Sequence, residues 1–361
     1  MTILFVGGGT LGPVMPLVAC ARAIRRLSPK AQCVWIGTPI GPEAAIIARE
    51  SIPFSSLPVA KLDRFPSWRW LTFPFDWARA RQKAKRLIDD MRPDIVVSVG
   101  GYTAIPIVLA AAARGIPCAT HQLDLEPGRT NAMIAKHCAS VTTSFAYEVA
   151  PFGDRVRDER IATPVAIAEK QSPTAEVAKR HFGFDANRPV VLIFGGGSGA
   201  QFLNKHVART LDVWLSFTNV LHGTGIGKTA ALDASKRKGY FARALFMEDM
   251  RAAYAAADIV IGRGGMGTLS EIAWAKKTAI VVPIPNTHQE TNARAFEERG
   301  AAIVVDQKSK SVDEDILTAA KLLLTDGAER RAMGARAHET IPTDDGTALA
   351  KRVLSLIRPS L

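Results

Sequence analysis

Short apolar runs alternate along the chain with longer amphipathic or small-residue stretches. Ile3-Leu4-Phe5-Val6 leads into Gly7-Gly8-Gly9-Thr10-Leu11-Gly12, and Val190-Val191-Leu192-Ile193-Phe194 leads into Gly195-Gly196-Gly197-Ser198-Gly199-Ala200. Unbroken apolar runs that end at glycine read as strands buried on both faces. The same pattern predicts strands over residues 33–37, 95–99, 118–121 and 140–143, and again over 189–194, 219–222, 244–246, 259–261, 279–282 and 302–305. Helices are predicted between them, including residues 14–27, 43–49, 77–91 and 348–357. Strand–helix alternation implies parallel sheets covered on both faces. The expected fold is therefore α/β, with two Rossmann-like domains facing each other across a cleft. Residues 1–160 and 161–345 are the expected domains, with 346–361 a final helix returning to the first.

Residues 95–113 carry no charge and approach the length of a membrane-spanning helix. Gly100-Gly101 and Pro106 break that stretch into a strand, a turn and a small-residue helix ending near Gly115. Four cysteines at positions 20, 33, 118 and 138 form no CxxC pair, which fits buried thiols in a reducing compartment better than disulfides or zinc. No basic n-region precedes Ile3, so a signal peptide is not expected.

A net charge of +12 calls for an acidic partner, and half of it lies between Lys61 and Arg86, where eight basic residues face two acidic ones. The same segment holds Trp68, Arg69, Trp70, Phe73, Phe75, Trp77 and Arg79. Aromatics interleaved with Arg and Lys suit the headgroup region of an anionic bilayer. Packing of the aromatics on their own domain is the bland alternative. Nucleic acid ranks last, because no recognition motif accompanies the patch.

Gly7-x-Gly9-x-x-Gly12 and Gly195-x-Gly197-x-x-Ala200 both match the dinucleotide fingerprint. The second strands end in Gly37-Thr38 and His222-Gly223, without the acid a nicotinamide ribose wants. His222 to Thr229 ends as a P-loop does, but His222 occupies the place of the first Walker glycine. What remains is a turn whose N–H groups face an anion at a helix N-terminus, which suits a nucleotide-sugar diphosphate.

Several segments, in order from Ile3 to Asp306, resemble the MurG family, GT-B glycosyltransferases that use UDP-GlcNAc. Gly8-Gly9-Thr10-Leu11-Gly12-Pro13-Val14-Met15-Pro16 is similar to its Gly-Gly-Thr-Gly-Gly-His-x-x-Pro loop. Arg92 to Val97 with Gly100-Gly101-Tyr102 resembles the segment before the acceptor loop, and His121-Gln122-Leu123-Asp124 with Asn131 stands in the place of its His-Glu-Gln-Asn motif. Gly195 to Asn204, Phe246 to Met250, Arg263 to Glu271 and His288-Gln289-Glu290-Thr291-Asn292 resemble the donor-side segments.

The resemblance implies an inverting transfer of GlcNAc to lipid I, a polyprenyl-diphosphate acceptor, giving lipid II for peptidoglycan, on the cytoplasmic face of the membrane. It implies donor contacts at Thr10, Gly12, Gly197, Ser198, Met247, Met266, Gly267, Thr268, Glu271, His288, Gln289 and Asn292. Glu271 would take the ribose hydroxyls and the first residues of its helix the diphosphate. Gly101, Tyr102, Gln122, Asp124 and Asn131 would line the acceptor loops. No cofactor or metal is implied; Asp313-Glu314-Asp315 reads as the cap of the following helix. The chain departs from the family at Leu11, at Pro13 for its histidine, at Gln122 for its glutamate and at Ala166 for its arginine. Neither Pro nor Gln accepts a proton, so the base falls to Asp124, with His121 and Glu126 behind it and Thr10 beside the reacting centre. A catalytically impaired membrane scaffold, or a transferase with another glycolipid acceptor, are the alternatives.

Overall fold

The computed structural model describes residues 1–59, 69–154, 156–169, 171–196, 201–227 and 237–357, with side chains of the third helix described from Thr72 onward. The chain divides into two compact units, Met1–Ala166 with Asp344–Leu361, and Ile167–Thr343.

The first unit runs β1 (Thr2–Val6), α1 (Leu11–Leu27), β2 (Gln32–Gly37), α2 (Glu43–Arg49), β3 (Phe54–Ser56), α3 (Arg69–Met91), β4 (Ile95–Ser98), α4 (Ala104–Ala112), β5 (Cys118–Gln122), α5 (Arg129–Ile134), β6 (Ser140–Thr143), β7 (Asp158–Arg160) and the short β8 (Thr163–Pro164). The second runs α6 (Ala175–His181), β9 (Val190–Phe194), α7 (Gln201–Phe217), β10 (Asn219–Gly223), β11 (Tyr240–Arg243), α8 (Met250–Ala256), β12 (Ile259–Gly262), α9 (Met266–Ala275), β13 (Thr278–Val281), α10 (His288–Glu297), β14 (Ile303–Val304), α11 (Val312–Thr325) and α12 (Gly327–Thr340). After β15 (Thr343–Asp344), α13 (Thr347–Ser355) packs on α1. Gly346 makes that return feasible: its φ is 90°, and a Cβ there would stand 2.5 Å from the Ala19 carbonyl carbon.

The sheets are ordered β3-β2-β1-β4-β5-β6-β7 and β11-β10-β9-β12-β13-β14, and every pairing within them is parallel. Two parallel Rossmann-like sheets follow from the apolar strands, most of whose central residues are buried on both faces. Each order reverses once, between β1 and β4 and between β9 and β12. Ligands of such sheets bind outside the strand C-termini at that reversal. Both glycine turns lie there, because each follows the first strand of its sheet.

Three predictions need correction. The strand expected at 244–246 forms at Tyr240–Arg243 instead, because Phe246 is buried in an aromatic cluster with Phe182 and Phe241. The helix expected from Trp77 begins at Arg69, so Phe73, Phe75 and Trp77 are helical rather than parts of a loop. Pro74 lies early in that helix and removes one hydrogen bond of the ladder. Asp313 does not cap α11, whose N-cap is Ser311; it lies in the first turn and is bonded to Arg209 Nε at 2.7 Å and His206 Nδ1 at 2.7 Å.

The uncharged stretch splits into β4 and α4 as predicted. Among the described residues no helix is long and apolar enough to cross a membrane. All four cysteines are free, and three are buried.

Candidate functional site

In the second unit, β12 ends at Gly262 and the chain turns through Arg263-Gly264-Gly265 into α9. Gly265 is the N-cap, and its carbonyl accepts from Thr268 N–H at 3.0 Å and Leu269 N–H at 3.1 Å. The N–H groups of Met266 and Gly267 precede any intrahelical acceptor and are left to bind an anion. The Thr268 N–H is taken by the Gly265 carbonyl, which leaves its hydroxyl as the group available to a ligand. The β9 turn comes to the same place, since a Cβ on Gly196 would stand 3.7 Å from Thr268 Oγ1. Gly197 and Ser198 lie outside the described residues.

Glu271, on the second turn of α9, accepts a hydrogen bond from Tyr254 Oη at 3.0 Å on Oε2. Burial pushes its carboxyl up to about 7, against the opposing effect of that bond. Among the described residues no donor occupies Oε1. Half the carboxylate is thus anchored and half is available, which suits a pair of vicinal hydroxyls. Tyr254 had no signal in the sequence; only the packing of α8 on α9 reveals it.

The α10 N-terminus is pressed against the β12–α9 turn. A Cβ on Gly264 would stand 2.3 Å from the Gln289 carbonyl oxygen, so only glycine fits. Asn292 is fully buried and donates from Nδ2 to the Gly264 carbonyl at 3.2 Å. It therefore ties α10 to the β12–α9 turn. Gln289 Oε1 accepts from Ile284 N–H at 3.2 Å and His288 is exposed, so the amide nitrogen and the imidazole are the groups facing outward. Met247 is 39% exposed with a φ of 30°, next to the buried Phe246. Left-handed backbone is strained for such a residue. His222, the false P-loop start, is a core residue, bonded to Tyr240 Oη at 2.8 Å and Asn204 Oδ1 at 3.0 Å.

In the first unit the β1–α1 and β4–α4 turns touch. A Cβ on Gly101 would lie 3.6 Å from the Gly8 carbonyl oxygen, and one on Gly9 would lie 3.3 Å from the Tyr102 ring. Burial raises the Tyr102 phenol above its usual value, with Glu43 adding to it. Thr10 is the N-cap of α1, yet its side chain makes no capping bond and stays exposed beside Gly12. Pro13, at the third helical position, removes an N–H as well as an imidazole.

Glu43 is the residue that sequence reasoning missed. Fully buried at the start of α2, its Oε1 accepts from Gly9 N–H at 3.2 Å, from Thr38 N–H at 2.7 Å and from the Thr38 hydroxyl, while Oε2 has no partner. It ties the second strand's end to the first glycine turn. Its sequence position reads only as a first-turn acid. Replacing it by Leu should lower the melting temperature by several degrees, through loss of three bonds to donors left buried; thermal unfolding by circular dichroism checks this.

Gln122 organises the β5–α5 loop. Its Nε2 donates to the Asp124 carbonyl at 2.8 Å and the Glu126 carbonyl at 3.0 Å, and its Oε1 accepts from Asn131 Nδ2 at 2.7 Å. A carboxylate cannot donate, so an amide is the group this clasp requires. Asn131 also meets Thr120 Oγ1 at 3.2 Å, and a Cβ on Gly100 would be 3.3 Å from its Oδ1. Asp124 is half-buried, and Tyr147 Oη also reaches its carbonyl, at 3.3 Å.

His121 is corrected as a base. It is wholly buried, its ring nitrogens lie 2.9 Å from Thr142 Oγ1 and 3.2 Å from Ser144 Oγ, and burial pulls its pKa down to about 3. Such an imidazole stays neutral, with both ring nitrogens already within bonding distance of hydroxyls. Where the resemblance expects an arginine, Ala166 offers a carbonyl that accepts from Arg22 Nη1 at 3.1 Å. Among the described residues no three His, Cys, Asp or Glu side chains gather to hold a metal.

On α3, Ala80, Ala84 and Ile88 are buried, while Arg79, Arg81, Lys83, Lys85 and Arg86 are exposed. Phe73 and Trp77 stack with centroids 6.3 Å apart, and Phe75 is 71% exposed. Trp68 lies outside the described residues, as do the side chains of Arg69 and Trp70.

Comparison with known proteins agrees with this arrangement. Residues 3–143 match the glycosyltransferase family 28 N-terminal domain and residues 190–345 its C-terminal domain. A UDP-N-acetylglucosamine–N-acetylmuramyl-(pentapeptide) pyrophosphoryl-undecaprenol N-acetylglucosamine transferase of Nocardioides sp. is 33% identical over 99% of this chain and 98% of that protein. The transferase of the same name from Listeria welshimeri is 31% identical over 99% of this chain and all of its own length. The crystal structure of Acinetobacter baumannii MurG superposes with a TM-score of 0.75 at 25% identity, covering 98% of this chain and 99% of that one. Full-length similarity of this kind, on two parallel Rossmann-like units of the GT-B type, means that the chain belongs to the MurG family of family 28 glycosyltransferases.

Proposed function

We propose that this chain transfers GlcNAc from UDP-GlcNAc to a polyprenyl-diphosphate-linked muramoyl peptide, with inversion at the anomeric carbon. The observation that carries the donor half is the α9 N-terminus, with two unclaimed N–H groups beside a half-anchored Glu271. The diphosphate rests on Met266 and Gly267 N–H with the Thr268 hydroxyl, so that helix dipole and backbone donors take up the leaving charge. Glu271 Oε1 reads the ribose, Gln289 and His288 the sugar hydroxyls, and Met247 flanks the base. Asn292 positions the turn.

On the acceptor side, the Gln122 clasp holds the carbonyls of Asp124 and Glu126, and so presents both acids on one short loop. Asp124 is the base in this reading, with Thr10 beside the reacting centre and Gly101 and Tyr102 supporting the acceptor. A positioned base contributes about 10²- to 10⁴-fold. Asp124→Asn should therefore lower kcat by about 10²-fold or more with little change in donor KM, measured as UDP released from UDP-GlcNAc in the presence of lipid I. Equal rates for the two proteins would remove Asp124 from the mechanism, and absence of UDP release from the unsubstituted chain would favour an impaired scaffold.

The exposed Phe75 and the basic face of α3 support docking to an anionic leaflet from the cytoplasmic side. Each basic residue near such a surface adds about 1 kcal/mol. Replacing Arg79, Arg81 and Lys83 together by Ala should cut partitioning onto phosphatidylglycerol-containing liposomes by about tenfold or more, read by co-sedimentation at low salt. Unchanged sedimentation would return the aromatics to a packing role.

A further inference from the structure

Tyr147 lies in the connection from β6 to β7, two residues after Phe145, which is buried and whose carbonyl accepts from the Thr143 hydroxyl at 2.9 Å. Ala146, Glu148, Val149 and Ala150 are exposed, and within that run Tyr147 alone is half-buried. Its side chain turns inward and reaches the β5–α5 loop. The phenol Oη donates to the Leu125 carbonyl at 2.8 Å, with the Asp124 carbonyl at 3.3 Å as the longer leg of the same proton. Burial raises this phenol above its usual value, and Asp158 and Asp124 add to the rise, so the hydroxyl remains a donor.

Gln122 and Tyr147 grip the loop from two elements. The Gln122 amide, at the end of β5, takes the carbonyls of Asp124 and Glu126, and the tyrosine takes the one between them. A loop has no ladder of its own, so side-chain donors to three consecutive carbonyls are what fixes its peptide planes. Both grips share one support, because Ser144 N–H donates to the Gln122 carbonyl at 3.0 Å and so ties the end of β6 to the end of β5.

We propose that Tyr147 is a positioning residue for the transfer: through the backbone of Asp124 and Leu125, its hydroxyl sets where the Asp124 carboxylate stands against the acceptor hydroxyl. This rests on the reading of Asp124 as the base. A misplacement of about 1 Å can cost about 10²-fold in rate, so a single hydroxyl on this backbone matters more to turnover than to folding.

The test is a double-mutant cycle on kcat, read as UDP released from UDP-GlcNAc with lipid I, for the full chain, Tyr147→Phe, Asp124→Asn and the pair. UDP affinity by calorimetry and the melting temperature are measured on each. Tyr147→Phe keeps the ring and removes only the hydroxyl. The expected result is a kcat lowered about tenfold, a UDP dissociation constant within about twofold of the parent's, and no further loss when Tyr147→Phe is added to Asp124→Asn. A lowered melting temperature with kcat unchanged would make the tyrosine a structural tie and overturn the proposal. A tenfold loss that persists in the Asp124→Asn background, or UDP binding weakened in step with kcat, would overturn it too. Failure of the base reading shows separately, as an Asp124→Asn rate equal to the parent's or a parent without turnover, and this placement falls with it.

Discussion

Glu271→Ala should raise the dissociation constant for UDP about a hundredfold or more, and lower kcat/KM for UDP-GlcNAc by a similar factor. Two ribose hydroxyls donating to one carboxylate are charge-assisted bonds, each contributing about 1.5–3 kcal/mol. The substitution also strands the Tyr254 hydroxyl in the core. pH dependence makes this prediction specific. Hydroxyl donors favour the ionised carboxylate, and burial has moved its pKa up to about 7. Donor affinity should therefore be full above that value and fall about tenfold per unit below it, with proton release on binding near neutral pH. Glu271→Gln should flatten the profile as well as weaken binding. Calorimetry in two buffers of different ionisation heat measures both effects; an unchanged profile in Glu271→Gln would dissociate this residue from the ribose.

Gln122→Glu, which restores the family's residue, should damage rather than improve this enzyme. The new carboxylate would face the carbonyls of Asp124 and Glu126 where an amide now donates to both. Buried charge facing two carbonyls, with Asn131 Nδ2 as its one donor, is strongly disfavoured, so the group would protonate and its folded pKa would rise above the unfolded value. A raised folded pKa gives stability present below the unfolded pKa and lost as pH rises through the folded one. The variant should thus approach the parent's melting temperature near pH 4 and fall below it by several degrees at pH 8. Activity should drop about tenfold or more at pH 8, because the loop carrying Asp124 loses its clasp. A gain in turnover would instead make Gln122 a lesion in a conventional active site.

The central strands were legible because their apolar runs have no other stable use. Edge strands were not: β7 reads Asp158-Glu159-Arg160 and β3 has only three half-buried residues, so neither carries an apolar signal. On the donor side, the local motif of glycine turn, helix start and acid at a fixed spacing let Met266, Gly267 and Glu271 be chosen from the sequence. Tyr254 and Glu43 act through contacts between distant elements, which no spacing records. Gln122 shows the limit most clearly. Its sequence position suggested a lost base, whereas its three bonds reveal a clasp that only an amide can close.

The most direct test is product analysis by mass spectrometry of purified chain incubated with UDP-GlcNAc and lipid I in anionic vesicles. The account predicts UDP and a lipid carrying one additional GlcNAc in equal amounts, formed about a hundredfold or more less efficiently by Glu271→Ala. Donor binding with no lipid product under these conditions would contradict it.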